Sequence, residues 1–357
     1  MILKMKKASE NVSSSKRYVL KENDEGPHYN NFFYIREWWY YNALFNNPKS
    51  KLKNWSVAIS MGVSNRHDSL KLILHDNNDK SYGDIYLRPK GTTKVDGPGV
   101  NVNFYNSFIR GKYPNWHVFA ENTTMAENGI VADLDFTASS SPMWIFMNTG
   151  RNFSKSLFGY YCILNCDVVG EVRFDGTVYK VGGIGYHDHT WAPSIYRSSI
   201  RKKTYSVGVS VWDWLCIHFD NGWDMFVGKI HSSRYSFFSK FMSGSICLTA
   251  DGKRLMECIF FILDYEKYRQ TTVNSIKIPT KINIKARKMI TRKIIPLEGP
   301  LNFDIYYEAD NIKECLCGAP PTWGQWESTG KVYGEVRGSG KSIKLNGWGI
   351  MEIARNM

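Results

Sequence analysis

Apolar and polar positions alternate with a period of two along most of the chain, and short turns rich in Asn, Asp and Gly interrupt them. Runs of β-branched and aromatic residues with this period are typical of half-buried strands. The pattern therefore predicts strands from the first third of the chain onward. The clearest early examples are WSVAISMGV (55–63), LKLILHD (70–76), DIYLRP (84–89) and VNVNFYNSFI (100–109).

Turn residues divide much of the remaining chain into hairpins. Residues 169–191 contain two alternating runs around Asp175-Gly176, and Asp-Gly between such runs is a strong hairpin signal. One segment, 257–270 (ECIFFILDYEKYRQ), is instead the best candidate for an amphipathic helix. Further strand pairs are predicted in 204–231 with a turn at 220–222, in 245–256 with a turn at 251–252, and in 333–353.

Short strands with few helices predict an all-β protein, a sandwich or a barrel. Similar closing segments, VVGEVRFDG and VYGEVRGSG, occur late in each half of the chain and suggest two barrels in tandem. The predicted organisation is a polar N-terminal tail (1–27), a first β-domain (28–200) and a second one (201–357).

Composition adds rings and positive charge to this picture. The 357 residues include 12 Trp, 21 Tyr and 19 Phe, which indicates aromatic sheets, a ring-lined cavity, or both. The net charge is +13, and its densest part is 277–293. Apolar and basic residues alternate there, as on a strand with a solvated basic face. An anionic membrane surface is the alternative partner for that face, and no nucleic-acid-binding motif is present.

Seven cysteines, an odd number, lack the paired spacing of a zinc finger and are expected to be reduced and buried. The N-terminal sequence has no apolar core of signal-peptide length, and no stretch approaches 18 apolar residues. A cytoplasmic protein, soluble or peripheral at a membrane, is the resulting expectation.

A dense polar cluster lies in GGIGYHDHTWAP, residues 182–193. Alternate residues of a strand point to opposite faces, so the cluster divides into two sets of three. The sets are His187, His189 and Trp191 on one face, and Tyr186, Asp188 and Thr190 on the other.

This cluster is compatible with a metal site, a catalytic centre, or a polar network buried between two domains. His187 and His189 supply two metal ligands, but the other six histidines are scattered and indicate no third ligand. No Gly-x-Ser-x-Gly nucleophile turn or phosphate-binding glycine loop occurs. Catalysis and a structural network both stay open, and no metal or organic cofactor is predicted.

A second cluster, IREWWYYNALF (35–45), places Arg36 and Glu37 against four consecutive aromatic residues. Desolvation among rings disfavours a carboxylate and raises its pKa. Glu37 is therefore a candidate proton donor in an apolar pocket. An ion pair that caps an aromatic strand is the alternative.

Glu-Trp-Trp-Tyr followed by Tyr-His-Asp-His-x-Trp is the most specific part of a family resemblance. Over roughly residues 30–355 the chain resembles the hydroxyneurosporene synthase (carotenoid 1,2-hydratase) superfamily of tandem lipocalin-like proteins. That superfamily also includes AttH-type proteins and lipocalin-like Diels–Alderases. The segments that carry the resemblance are REWWYYNALF (36–45), VVGEVRFDGTVYKVGGIGYHDHTWA (168–192), VWDWLCIHFDNGWDMFVGKI (211–230) and GWGIMEI (347–353).

The resemblance implies two lipocalin-like β-domains with an apolar ligand pocket at or near their junction. In carotenoid hydratases the motif's His and Trp act on an isolated terminal C=C bond, and the matching residues here are His189 and Trp191. The family also uses a Tyr-x-Asp pair further along, without a clean counterpart in this chain, where Asp220 and Asp224 are the nearest choices. A second departure is Ala192, where the family has Gly.

The leading hypothesis is a cofactor-independent hydratase, isomerase or cyclase that acts on a long apolar polyene or isoprenoid. Its acid/base centre would be Asp188 and His189, with His189 and Trp191 facing the ligand. The rival is a non-catalytic carrier for an apolar ligand, and a metal enzyme using His187 and His189 is a third hypothesis. The predicted catalytic residues are His189, Asp188, Trp191 and Glu37; the predicted ligand-binding residues are Trp38, Trp39, Tyr40, Tyr186, His187, Trp212 and Trp214.

Overall fold

A computed structural model shows a chain folded almost entirely into antiparallel strands, which confirms the all-β prediction of two tandem lipocalin-like domains. The structure describes residues 20–28, 35–64, 67–76, 78, 80–126, 129–145, 159–198, 204–208, 212–230, 244–250, 252–258, 261–272, 276–288, 300–318 and 321–356.

The first sheet contains thirteen of the described strands. Along it the order is β4-β3-β2-β1-β12-β11-β9-β8-β7-β6-β5, with β10 beside β11 and β13 beside β12. A short helix, α1 (Glu22–Glu25), precedes these strands. The strands are β1 (Ile35–Phe45), β2 (Ser56–Val63), β3 (His67–His75), β4 (Ser81–Pro89), β5 (Thr93–Asp96), β6 (Val100–Phe104), β7 (Ser107–Lys112), β8 (Asn115–Glu121), β9 (Val131–Ala138), β10 (Met143–Trp144), β11 (Gly159–Phe174), β12 (Thr177–Ser198) and β13 (Thr204–Gly208).

The second sheet contains nine described strands in the order β17-β16-β15-β14-β22-β21-β20-β19-β18. The predicted domain boundary at residue 200 lies outside the described residues. The strands are β14 (Trp212–Phe219), β15 (Trp223–Ile230), β16 (Gly244–Ala250), β17 (Lys253–Cys258), β18 (Phe261–Gln270), β19 (Lys277–Lys288), β20 (Leu301–Gly318), β21 (Pro321–Gly338) and β22 (Lys341–Asn356).

The two sheets repeat one connectivity, since β4-β3-β2-β1-β12-β11-β9 corresponds to β17-β16-β15-β14-β22-β21-β20. The repeated Gly-Glu-Val-Arg segments occupy equivalent places. Gly170 and Gly334 have φ of 154° and 153°, and at each a Cβ would meet a backbone oxygen of the neighbouring strand within about 2 Å. The predicted hairpin turn at Asp175-Gly176 is also present, with φ of 50° and 71°. The similar segments in the two halves of the sequence therefore mark a structural repeat.

Three apolar cores result from this arrangement. One lies inside each sheet, and the third lies between them, where Tyr40 and Tyr160 of the first sheet meet Trp214, Phe226 and Ile350 of the second. Residues 39–43 of β1 and 185–191 of β12 are consequently buried on both faces.

Residues 20–28 fall mainly in the segment predicted to be a polar tail, and they are instead folded against the first sheet. The Glu25 carboxylate accepts hydrogen bonds from the Tyr113 backbone N–H and from Trp116 Nε1, each at 3.0 Å. The backbone oxygen of Glu25 accepts a hydrogen bond from Trp39 Nε1 at 2.9 Å. The polar composition of this segment predicted a tail. Composition cannot show that its polar groups have hydrogen-bond partners far along the chain.

The helix predicted for 257–270 is wrong, because its described residues lie in strands β17 and β18. β18 pairs with β19, and Phe261, Leu263 and Tyr265 alternate toward the second core while Ile262 is exposed. The run is an edge strand whose outer half is solvated, so the apolar positions cluster at one end and imitate a helical spacing.

The basic segment forms a strand, as predicted, through β19 up to Lys288. Ile282, Ile284 and Ala286 are buried, but so is Asn283, which departs from the expected alternation. Lys285 and Lys281 pair with Asp264 and Glu266 of β18 at 2.8 and 3.5 Å. Neighbouring carboxylates thus offset part of this strand's charge.

The six cysteines whose surroundings are described are buried and form no disulfide: Cys162, Cys166, Cys216, Cys247, Cys258 and Cys315. Within the described ranges, no helix is long and apolar enough to cross a membrane.

Candidate active site

The two polar and aromatic clusters of the sequence pair directly on neighbouring strands. β1 runs antiparallel to β12, with Trp39 opposite His189 and Tyr40 opposite Asp188. Successive side chains of each strand point to opposite sides. We call the side with His187, His189 and Trp191 the closed face, and the side with Tyr186, Asp188 and Thr190 the cleft face.

On the closed face, His189 is fully buried between β1 and α1. Its Nε2 lies 2.8 Å from Glu37 Oε1, and its Nδ1 lies 3.2 Å from the backbone oxygen of Asp24. The ring stacks on Trp39 with centroids 4.6 Å apart. Both ring nitrogens and one ring face are therefore occupied by protein.

His28 closes the same cluster from the N-terminal side. Its backbone N–H donates to Glu37 Oε1 and Oε2 at 2.9 and 3.1 Å, and its Nδ1 lies 3.2 Å from Glu37 Oε1. Its ring stacks on Trp191 at 3.6 Å between centroids. Gly159 lies opposite Trp191, where a Cβ would come within 2.0 Å of the indole. The side chains of the closed face are therefore tightly packed.

The Glu37 pKa moves opposite to the sequence-based expectation. Burial raises the pKa of Glu37, as expected, but hydrogen bonds from His189 and His28 outweigh burial and lower it. Burial also lowers the pKa of His189, against the effect of Glu37. Glu37 is thus held as a carboxylate by the groups around it, which does not suit a proton donor.

The histidine pair of the motif does not converge on one point. His187 Nε2 lies 3.3 Å from the Tyr161 hydroxyl, His187 Nδ1 lies 3.1 Å from the Tyr40 backbone oxygen, and the ring stacks on Tyr41. Burial lowers the pKa of His187 to about 3. A different set, His28, Glu37 and His189, has ligand atoms within 4.8 Å of one another and could hold a metal ion. In this structure Glu37 Oε1 already lies within hydrogen-bond distance of His28 Nδ1 and His189 Nε2.

The cleft face opens into a cleft between the two sheets, which contains about 1060 Å³ of unfilled space with its open mouth included. Both sheets contribute to its walls, and apolar surface exceeds polar surface. The lining side chains used below are Arg36, Trp38, Tyr40, Lys71, Tyr160, Asp188, Trp212, Trp214, Phe226 and Glu352.

Asp188 is the carboxyl group that the first sheet's motif presents to this cleft. Its Oδ2 accepts hydrogen bonds from the hydroxyls of Tyr186 and Tyr160 at 2.9 and 3.1 Å. Trp214 Nε1, from the second sheet, donates to the Tyr160 hydroxyl at 2.8 Å. The other carboxyl oxygen of Asp188, Oδ1, has no hydrogen-bond partner among the residues that the structure describes.

Burial raises the pKa of Asp188 to about 8, although hydrogen bonds from Tyr186 and Tyr160 lower it. The nearby charge of Glu352 raises this pKa further. At neutral pH the carboxyl group is therefore mostly protonated. A neutral acid with one oxygen fixed by two hydroxyls and the other unpaired is arranged to give up a proton.

A buried ion cluster lies beside this acid. Lys71 Nζ donates to Glu327 Oε2 at 2.8 Å and to Glu352 Oε2, so it bridges two carboxylates of the second sheet. Tyr40 donates to Glu327 Oε1, and Trp212 Nε1 donates to Glu352 Oε1, each at 2.7 Å. Burial lowers the pKa of Lys71, but the two carboxylates outweigh it and raise the pKa. Burial raises the pKa of Glu327 to about 7 against the effect of Lys71.

Aromatic rings from both sheets form the walls. Trp38 and Trp212 stack across the sheet boundary at 6.1 Å, and the Arg36 guanidinium lies 5.9 Å from each ring centroid. Tyr40 meets Trp214 edge to face at 5.3 Å. Ring faces attract cations, so such walls favour positive charge that develops in the cleft.

The structure separates the predicted site residues into two groups. Asp188, Trp38, Tyr40, Trp212 and Trp214 line the cleft, and Tyr186 hydrogen-bonds to Asp188 beside it. The others lie on the closed face, including the two residues expected to face the ligand: His189, Trp191, Trp39 and His187. Glu37 borders the cleft, but its carboxylate points to the closed face, where it contacts His189.

Asp220 and Asp224, the suggested counterparts of the family's Tyr-x-Asp pair, are not among the residues that line the cleft. Asp220 is exposed at a turn, and Asp224 Oδ1 lies 2.7 Å from His218 Nδ1.

Sequence reasoning missed Lys71, Tyr160, Glu327 and Glu352. Lys71 and Glu352 have a usable signal, because each is a charge inside an apolar run: LKLIL and IMEI. Glu327 lies in GQWESTG, where nothing marks it, and Tyr160 lies in an aromatic run. Their roles arise from the contact between the two sheets.

No protein-family model and no curated protein matches the sequence. Solved structures share its fold. An AttH protein from Nitrosomonas europaea has a TM-score of 0.63 at 16% identity and covers 95% of this chain and 98% of its own. Kievitone hydratase from Nectria haematococca gives 0.64 at 11%, with 97% and 95% covered. CghA in complex with Sch210972 gives 0.54 at 13%, with 91% and 89% covered. The resemblance to the AttH-type tandem lipocalin-like proteins is confirmed at the level of fold.

Proposed function

We propose that the protein is an enzyme of the hydratase or cyclase type that acts on an apolar unsaturated compound, of the isoprenoid or polyene class, in the cleft between its two sheets. Asp188 is the proton donor. The observation that carries this proposal is the neutral carboxyl group of Asp188, fixed by two tyrosines at the wall of an aromatic cleft.

The reaction needs no organic cofactor. Asp188 gives its proton to one carbon of a C=C bond, whose π electrons form the new C–H bond and leave a cation on the other carbon. The rings of Trp38, Trp212 and Trp214 stabilise that cation through their faces. Water then adds to the cation, or a second double bond of the same substrate closes a ring. The oxonium ion formed by water addition, or the new cation formed by ring closure, then loses a proton to a base, and Asp188 regains its proton from that transfer or from solvent.

Two structures of the same fold support this proposal without deciding it. One is a hydratase named for kievitone, and the other holds the organic molecule Sch210972. One fold supports many functions, so the argument rests on the cleft itself. Its aromatic walls and the buried carboxyl group of Asp188 are what alkene protonation requires.

The test uses purified full-length protein incubated with kievitone, farnesol and lycopene in water enriched in ¹⁸O. Hydration adds one molecule of water with the heavy oxygen, whereas cyclisation gives a product of unchanged mass and different retention. Asp188→Asn should abolish either product. Binding of a compound with saturable affinity, without conversion by the wild type, would instead establish the carrier hypothesis.

A further inference from the structure

We infer that Glu352 is the base that takes a proton from the attacking water, so that the cleft is built for hydration in particular. This inference rests on the proposed function and deepens it. It depends on the placement of two carboxyl groups at equivalent positions of the two repeats.

The registers of the two sheets make Asp188 and Glu352 counterparts. Asp188 lies opposite Tyr40 of β1, and Glu352 lies opposite Trp214 of β14, the equivalent strand. Both line the cleft, one from each sheet. The cleft therefore has a carboxyl group on each of two walls that meet across the sheet boundary.

Their surroundings differ in the way that an acid and a base require. Asp188 has two tyrosine hydroxyls and no cation within hydrogen-bond distance among the described residues. Glu352 is ion-paired with Lys71 and accepts a hydrogen bond from Trp212 Nε1. A carboxyl group held by hydroxyls and a carboxyl group held by a cation are suited to different roles, the first to an acid and the second to a base.

The ion cluster behind Glu352 holds its carboxylate in place. Lys71 touches both Glu352 and Glu327, and burial raises the pKa of Glu327 to about 7, in spite of Lys71. Glu327 does not line the cleft, whereas Glu352 does. Glu352 is thus the catalytic residue, and Lys71 and Glu327 are positioning residues.

The proton balance closes for hydration. Asp188 delivers its proton to carbon, the water oxygen bonds to the cation, and one water proton passes to Glu352. The substrate has then gained one molecule of water, Asp188 is a carboxylate and Glu352 is protonated. Exchange with solvent through the cleft mouth restores both groups. A ring closure would require no water and no base at this position.

Isotopes separate the two half-reactions. In D₂O, Asp188 can protonate the alkene and take a proton back, which places deuterium in recovered substrate without any need for Glu352. In ¹⁸O-enriched water, product oxygen reports the step assigned to Glu352. With kievitone or farnesol as the probe, Glu352→Gln should keep deuterium exchange within about threefold of wild type and lose ¹⁸O incorporation at least about 100-fold.

Glu327→Gln is the matched control, because it removes the other carboxylate of the same lysine away from the cleft. Its ¹⁸O incorporation should fall less than tenfold. Equal losses in the two variants, or unchanged ¹⁸O incorporation in Glu352→Gln, would overturn the assignment. Retained deuterium exchange shows that the variant is folded. If wild-type protein places neither isotope in either probe, the proposed function itself fails.

Discussion

Glu37 and Asp188 project from adjacent, paired strands and lie on opposite faces of the same part of the first sheet. Both are buried, so desolvation raises the pKa of each. On the closed face two histidines donate to Glu37, and its pKa ends below the usual value. On the cleft face two tyrosine hydroxyls are too weak to compensate, and the pKa of Asp188 ends at about 8.

The difference teaches that burial alone does not identify a catalytic acid. The number and kind of hydrogen-bond donors decide whether a buried carboxyl group is ionised. On the closed face, hydrogen bonds from protein groups hold the Glu37 carboxylate and join α1 to the sheet. The cleft face leaves one buried oxygen of Asp188 without a hydrogen-bond partner among the described residues, at the wall of the cleft. Stability and chemistry are therefore divided between the two faces of one strand.

Asp188→Asn tests this division with the largest expected effect. The amide keeps the shape of the carboxyl group but cannot protonate carbon, so kcat/KM should fall by about 10²–10⁴. Stability should not fall, because a neutral amide replaces a buried acid. Turnover assays and thermal unfolding measure the two quantities. Asp135→Asn, at an exposed carboxylate, is the control; activity in Asp188→Asn close to that of the control would contradict the proposal.

His189→Ala should show the reverse behaviour. It leaves the Glu37 carboxylate buried without its nearest ring partner, which should cost about 3–5 kcal/mol of unfolding free energy. Denaturant titration measures this loss. Thr190→Val, at the next position on the cleft face, removes a hydroxyl that lacks a partner among the described residues and should change stability by less than about 0.5 kcal/mol. Comparable losses in the two variants would remove the distinction between the faces.

Acid should weaken the closed face. His187 is neutral in the fold with a pKa of about 3, below its value of 6.5 when unperturbed. Its contribution to stability is therefore present above pH 6.5 and is lost as the pH falls toward 3, by at most about 1.4 kcal/mol per pH unit. Urea unfolding between pH 7 and 4 gives the unfolding free energy at each pH. This free energy should fall less steeply with decreasing pH in His187→Gln than in His117→Gln, whose histidine is exposed. Identical slopes would be inconsistent with a neutral buried His187.

Trp214→Phe should have the smallest effect, confined to the cleft face. Phenylalanine keeps an aromatic ring at this position but lacks the indole N–H that donates to the Tyr160 hydroxyl, which in turn donates to Asp188. A loss of about 1 kcal/mol, or roughly fivefold in kcat/KM, is expected for one such hydrogen bond. Steady-state assays beside Trp55→Phe, a tryptophan packed on the first core, check it. An effect equal to that of Asp188→Asn would mean that Trp214 does more than orient Tyr160.

The fold was largely predictable because strand periodicity and Asp-Gly turns are local signals. Residues 169–191 show this, with a hairpin turn where Asp175-Gly176 predicts one. The failures came from non-local contacts. Residues 20–28 are ordered by partners such as Trp116, and 257–270 forms strand through its pairing with β19.

The site was predictable in its residues but not in its orientation. Alternation correctly separated Asp188 from His189. It could not show which face meets the cleft, because residues 185–191 of β12 are buried on both faces and present no polar side toward water. Lys71 and Glu352 complete the site from strands far apart in sequence, and only the contact between the sheets brings them to Asp188.

The protonation state of Asp188 is the most direct test of the account. Infrared difference spectra of wild type against Asp188→Asn, with ¹³C-labelled aspartate, isolate the signal of this carboxyl group. The account predicts a protonated-carboxyl band at pH 7 that gives way to a carboxylate band as the pH passes about 8. A carboxylate band already present at pH 7, unchanged down to pH 5, would contradict it.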